Sequence, residues 1–295
     1  WKTKEGLVRG CACRGTAGFA HVSCLAEQAK ILVAEVEENN LDDKVLTERF
    51  NRWHMCGLCE QDHHGVVRCA LGWACWKTYV GRPETDPARL MAMPQLGAGL
   101  HEVGRHEEEL SVREADLATM RRLGAPEANL LCAQGNLANT YDMLGRVEEA
   151  LNLYRDVYSG ELILYGMAHE QTMISASNYV DSLLQLDRFE EAKSLLCKVR
   201  PVARRVLGES HRLTLRLRCN YASSLYLDSG ATLDDIREAV TTLEDGERIA
   251  RQLLGGTHPL TTGIEKSIQN VRAELAARDG DDASSVCEAV RKAKV

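Results

Sequence analysis

The 295-residue chain has eleven cysteines, and seven of them lie in its first 75 residues. One residue separates Cys11 from Cys13, and Cys56 and Cys59 form a Cys-x-x-Cys pair. His21 and Cys24 make a third close pair between them. Zinc takes four nitrogen or sulfur ligands in a tetrahedron, and a short pair in a tight turn supplies two at once. Gly10, Gly15 and Gly57 are turn formers beside these pairs. An odd cysteine total, clustered at one end without a secretory signal pattern, favours metal ligation in a reducing compartment over disulfides. The alternative is buried free thiols in a helical core. Paired spacing at two places favours Zn2+ on Cys11, Cys13, Cys56 and Cys59.

Other chemistry is sparse. No Ser-His-Asp grouping, phosphate loop or carboxylate pair stands out, so an intrinsic hydrolase or kinase is not expected. His63 and His64 in QDHHG read as a solvated turn. Cys69 and Cys75, beside Trp73 and Trp76, read as core. Cys132, Cys197, Cys219 and Cys287 have no partner spacing and read as ordinary thiols. With 36 basic and 43 acidic side chains the formal charge is -7, and residues 87–295 carry 25 against 31. Such a surface argues against nucleic-acid binding. No apolar run approaches membrane-spanning length, and the expected location is intracellular, in the cytoplasm.

The elements that must position this chemistry follow from an internal period. Residues 136–151 read NLANTYDMLGRVEEAL, and forty-two residues later 178–193 read NYVDSLLQLDRFEEAK. A third copy begins NYASSLYL at 220–227 and resumes as IREAVTTL at 236–243. A weaker copy, QLGAGLHEVGRHEEEL at 95–110, has Glu109 where the others have Ala150, Ala192 and Ala239. His169, His211 and His258 recur at unit boundaries and read as capping or packing residues. Leu137, Ala138, Tyr141 and Leu144 fall at helical spacing, and Gly145 stops that run. Each unit therefore reads as two helices, whose apolar stripes are buried only when units stack. Pro94 is expected to interrupt the first repeat helix, and Pro201 to kink a later one. LTLRLRCN alternates like a strand, but the repeat register makes it the start of a helix.

The Leu-Ala-x-x-Tyr…Gly-x-x-x-Glu-Ala pattern resembles tetratricopeptide (TPR) repeats. The forty-two-residue period and the closers LGESHRLT (207–214) and LGGTHPLT (254–261) resemble the kinesin light chain variety. The expected fold is all-α: a TPR helical solenoid of about four units and a capping helix, preceded by a small zinc-binding module. The boundaries expected are 1–64 for the module, 65–86 for a connecting helix and linker, 87–278 for the solenoid, and 279–295 for a flexible tail. In TPR repeats the first helix of each unit lines a groove, and the matching positions are Asn136, Asn139, Asn178, Asp181, Asn220 and Ser223. Asn side chains can grip an extended peptide or protein partner through its backbone. They can equally tie neighbouring helices together, and the sequence leaves both readings open.

The cysteine spacing resembles the last six ligands of the RING-CH (RING-variant) domain: Cys-x-Cys, seven residues, His-x-x-Cys, then Cys-x-x-Cys. That resemblance implies that Cys11, Cys13, Cys56 and Cys59 share one zinc, and that His21 and Cys24 belong to a second site. The first Cys-x-x-Cys pair of the family would lie upstream of Trp1, so the second site is incomplete here. The 31 residues between Cys24 and Cys56 are a longer gap than the family usually has, and Gln28 stands where it often has Trp. The resemblance implies a RING-type ubiquitin ligase, with a ubiquitin-conjugating enzyme as a further partner. The other reading is a non-catalytic scaffold with a structural zinc.

Overall fold

The computed structural model describes residues 5–292, the side chains of 280–292 excepted. Its elements are α1 (Val22–Glu38), α2 (Asp43–Phe50), a 3-10 turn (Asn51–Trp53), α3 (Gly65–Tyr79), α4 (Pro87–Glu102), α5 (His106–Arg122), α6 (Glu127–Met143), α7 (Val147–Tyr165), α8 (Glu170–Gln185), α9 (Phe189–Leu207), α10 (Arg212–Tyr226), α11 (Leu233–Leu254) and α12 (Pro259–Lys292). Among the described residues extended pairing is confined to two isolated antiparallel bridges, Val8 with Ala20 and Met55 with Asp62. The fold is all-α and built from TPR-type helical hairpins. Two compact units divide at residue 146.

In the first unit, α1 and α2 close over the 3-10 turn and α3. Ala29, Val33, Val36, Phe50, Trp53, Cys75 and Tyr79 make one core that continues into Ala88 and Ala92 of α4. Cys69 is buried against Leu96 and Leu100. Helices α3 and α4 lie backbone to backbone. A Cβ on Gly72 would stand 2.7 Å from the Gln95 carbonyl oxygen, and one on Gly99 would stand 2.9 Å from Cys69 Cα. Small residues permit that approach, so α3 is a packed partner of the first repeat helix. Asp86 caps α4 by accepting the Arg89 N–H, with Pro87 in the first turn, as the linker sequence suggests. Pro94 does not interrupt α4, which runs unbroken to Glu102. The N–H that proline lacks costs one hydrogen bond, and packing against α3 holds the rest of the helix.

In the second unit the period is visible in the core. Val180 and Ala222, forty-two residues apart, are fully buried, as are Ala192 and Ala239. Leu183 and Leu225 share the same relation. His169, His211 and His258 each turn Nδ1 onto the backbone N–H two residues on, at 3.2, 3.3 and 3.1 Å. These rings act as helix N-caps, satisfying donors that a helix start leaves open. LTLRLRCN lies in α10, as register requires. Helix α9 continues through Pro201. Ile264, Ile268 and Val271 of α12 are buried in this core. Helix α12 runs to Lys292, through residues where the sequence predicts the start of a flexible tail. Cys287 lies outside the described side chains.

Tyr141 is half-buried rather than a core residue. Its hydroxyl donates to Glu114 at 3.1 Å, and the Arg146 guanidinium lies over its ring. The repeat stop at Gly145 has φ +73°, and the equivalent Asp187 has φ +55°. Both close their helices in the left-handed region.

Candidate functional site

Two loops bring the four cysteines together. The Val8–Ala20 bridge frames the first, with paired N–H···O bonds of 2.9 and 3.0 Å. The Met55–Asp62 bridge frames the second, where Cys56 N–H reaches the Gln61 carbonyl at 2.9 Å and Glu60 N–H the Cys56 carbonyl at 3.0 Å. Gly18, at φ +78°, passes so close that a Cβ would lie 2.6 Å from Cys13 Cβ and 2.9 Å from Cys11 Sγ. The loops are pinned to α3: His64 N–H donates to the Gly10 carbonyl at 2.6 Å, and Gly10 sits against Val67. Residues forty-three apart in sequence thus face each other on a packed base.

All four Sγ atoms lie within 4.8 Å of one another, and Cys13 Sγ is 3.8 Å from Cys56 Sγ. Zinc–sulfur bonds of about 2.3 Å in a tetrahedron set neighbouring sulfurs about 3.8 Å apart. The donor set and its spacing therefore fit Zn2+. The thiols are electrostatically unequal. Burial raises Cys56, but the backbone N–H groups of Cys59 and Leu58 and the neighbouring thiols outweigh it and bring it down to about 7. Burial and the other three cysteines push Cys13 up to about 12. Burial also raises Cys11. Leu58 N–H points at Cys56 Sγ from 3.4 Å, the kind of contact that steadies a metal-bound thiolate.

The other predicted ligands stand apart from this centre. His21 Nδ1 and Cys24 Sγ are 3.7 Å from each other, yet among the described residues no third donor joins them. His63 is not in a solvated turn. It is 2 % exposed, and burial lowers its pKa. His64 is exposed.

The groove positions divide between the units. In the first, Asn136 and Asn139 line a cavity of about 230 Å³ with His63, Arg68, His101 and Glu109. In the second, Arg216 donates to Asp181 and to Asn178 Oδ1, and Asn220 donates to Asp181 at 2.6 Å. These bonds join α8 to α10 through Asn178, Asp181 and Asn220. Arg216 was not apparent as part of this network. Only its place four residues before Asn220, one helical turn away, could have suggested it. Ser223 is half-buried on α10.

The tetratricopeptide repeat family matches residues 133–160. The fold is similar to the nearly identical TPR-like repeats assigned to a kinesin light chain of Podosopora anserina, at 20% identity and TM-score 0.53 over 79% of this chain and 97% of that one. It is also similar to BtubC (BKLC) of P. vanneervenii, at 15% identity and TM-score 0.52 over 90% and 92%. The matched segment is a tetratricopeptide repeat, and the fold is that of TPR-type helical repeats. No curated protein matches the chain. Among the described residues no helix is long and apolar enough to cross a membrane.

Proposed function

We propose that the chain is a protein–protein interaction module in which TPR helices bind a peptide or protein partner and Cys11, Cys13, Cys56 and Cys59 hold one Zn2+. The observation that carries the metal reading is the convergence of four sulfurs, from two separately framed loops, to within 4.8 Å of one another. Bound zinc would supply folding energy by cross-linking segments that the chain alone brings together only through short loops. Partner binding rests on the repeat fold and on the placement of Asn136 and Asn139 of α6 in the lining of a cavity.

The ligase reading is the second one. Leu58 at the tip of the second cysteine loop is 73 % exposed, and Leu7 and Phe19 by the first are exposed too. These are apolar side chains that a ubiquitin-conjugating enzyme could cover. A ligase of this kind forms no covalent intermediate; it positions a loaded conjugating enzyme near a substrate lysine.

Co2+ added to the reduced, metal-stripped chain should give intense thiolate charge-transfer absorption, and Cys13→Ser with Cys56→Ser should abolish it. A folded, reduced wild-type protein without that absorption removes the metal claim. An autoubiquitination assay with a panel of conjugating enzymes separates ligase from scaffold, since no activity with any of them leaves the scaffold.

A further inference from the structure

Repeat one departs from the period in a concerted way. Ala138, Ala150, Tyr154 and Val157 are buried apolar positions of the next repeat. Forty-one residues earlier the same positions are Gly97, Glu109, Arg113 and Asp116. The last three of these are buried despite their charge, with Glu109 only 1 % exposed. Gly97 is needed for this arrangement, because a Cβ there would lie 2.7 Å from the Arg113 guanidinium carbon. Two histidines complete it, His101 at the end of α4 and His106 at the start of α5. An apolar core has been exchanged for a polar one at a single repeat.

The polar groups converge on one carboxylate oxygen. His101 Nδ1 and His106 Nδ1 each stand 3.1 Å from Glu109 Oε2, while Arg113 Nε takes the other oxygen at 3.4 Å. The three ligand-type atoms lie within 4.8 Å of one another. Bonds of about 2.0–2.1 Å to nitrogen and oxygen in a tetrahedron set ligand atoms about 3.3 Å apart. A hydrogen bond would have a similar length, so the distance alone does not decide. Two further observations point to a ligand. His101 and Glu109 open onto the cavity of about 230 Å³ described above. His63 and Arg68 line that cavity nine-tenths or more buried, and both ring nitrogens of His63 and Nη1 of Arg68 have no hydrogen-bond partner. A ligand in the cavity would give these atoms the partner that buried polar groups ordinarily have.

We infer that His101, His106 and Glu109 form a second, separate metal site. Its two imidazoles and one carboxylate suit Zn2+ among common divalent cations and suit Mg2+ or Ca2+ poorly. Arg113 holds the non-ligating oxygen of Glu109 and fixes the carboxylate's orientation. His101 and Glu109, which line the cavity, would bring a bound metal to its wall. The metal would clasp α4 to α5 across their connecting turn, and it needs none of the cysteines.

The test uses the reduced, chelator-stripped full chain, reloaded with Zn2+ and dialysed before its metal content is measured. His101→Ala and His106→Ala should each hold one zinc fewer per chain than the wild type. His101 has 43 % of its side chain exposed, so His101→Ala should keep the wild-type far-UV spectrum and metal-free unfolding midpoint. If it does not, His101→Gln takes its place. In a Co2+ titration the increment lost in these variants should lack thiolate charge-transfer absorption. Failure of the cysteine site would abolish that absorption and leave this increment intact, so the two readings fail separately. Equal zinc content in wild type and variants, or a lost increment that carries thiolate absorption, overturns the inference.

Discussion

Replacing Asp116 with Asn should stabilise the first unit at neutral pH and leave it unchanged in mild acid. Asp116 is a carboxylate at a core position of α5, with Oδ1 unpartnered. Burial raises its pKa to about 6, a shift that Arg113 only partly offsets. The folded state therefore binds the proton more tightly than the unfolded chain does, whose Asp titrates near the ordinary value of about 3.9. Between pH of about 4 and 6 the folded state carries more protons, so stability falls as pH rises through that window and stays low above it. Two units at about 1.4 kcal/mol each give a penalty on the order of 3 kcal/mol at pH 7.5. Asn keeps the shape and removes the charge. Some loss is expected because Arg113 gives up a nearby anion, so the net gain should be on the order of 2 kcal/mol. Urea unfolding followed by tryptophan fluorescence reads this unit, because Trp53, Trp73 and Trp76 all lie in it. The two proteins should differ at pH 7.5 and converge near pH 4. A difference that does not vary with pH, or a variant less stable at pH 7.5, would refute the reasoning.

Two further perturbations test the backbone. Asp187→Gly relieves a left-handed residue where other repeats use glycine, and should stabilise the second unit by about 0.5–1 kcal/mol in denaturant unfolding. An unchanged or lower midpoint would mean that the Asp187 conformation carries no strain. Gly99→Leu should cost at least about 2–3 kcal/mol in the first unit, since its side chain would meet the α3 backbone. A wild-type urea midpoint would contradict the close α3–α4 approach.

Much of the fold was legible because the period is carried by small and apolar residues whose roles do not depend on distant partners. Ala192 and Ala239 are buried for the same reason in each repeat, and the histidine caps act on backbone two residues away. The cysteine centre was legible for a similar reason, since short pairs announce themselves by spacing. What spacing could not show is which pairs complete a site in space, and His21 with Cys24 does not gain a third donor among the described residues. Glu109 was visible as a break in the pattern, but its meaning depends on His101, His106 and Arg113, which three-dimensional packing assembles. Pro94 misled because local propensity disfavours helix there, whereas α4 continues against α3. His63 misled because a polar pair in a short loop looks solvated until α3 is placed beside it.

The backbone contact of Gly72 and Gly99 changes what the first eighty residues are for. They are not a tethered appendage swinging on a linker, because α3 lies flush along α4 and the two share a continuous interior. They form a plate against α4, covering an apolar flank that the first repeat would otherwise show to water. A shortened chain that begins at residue 83 would lose that plate. It should aggregate even though every repeat remains in it.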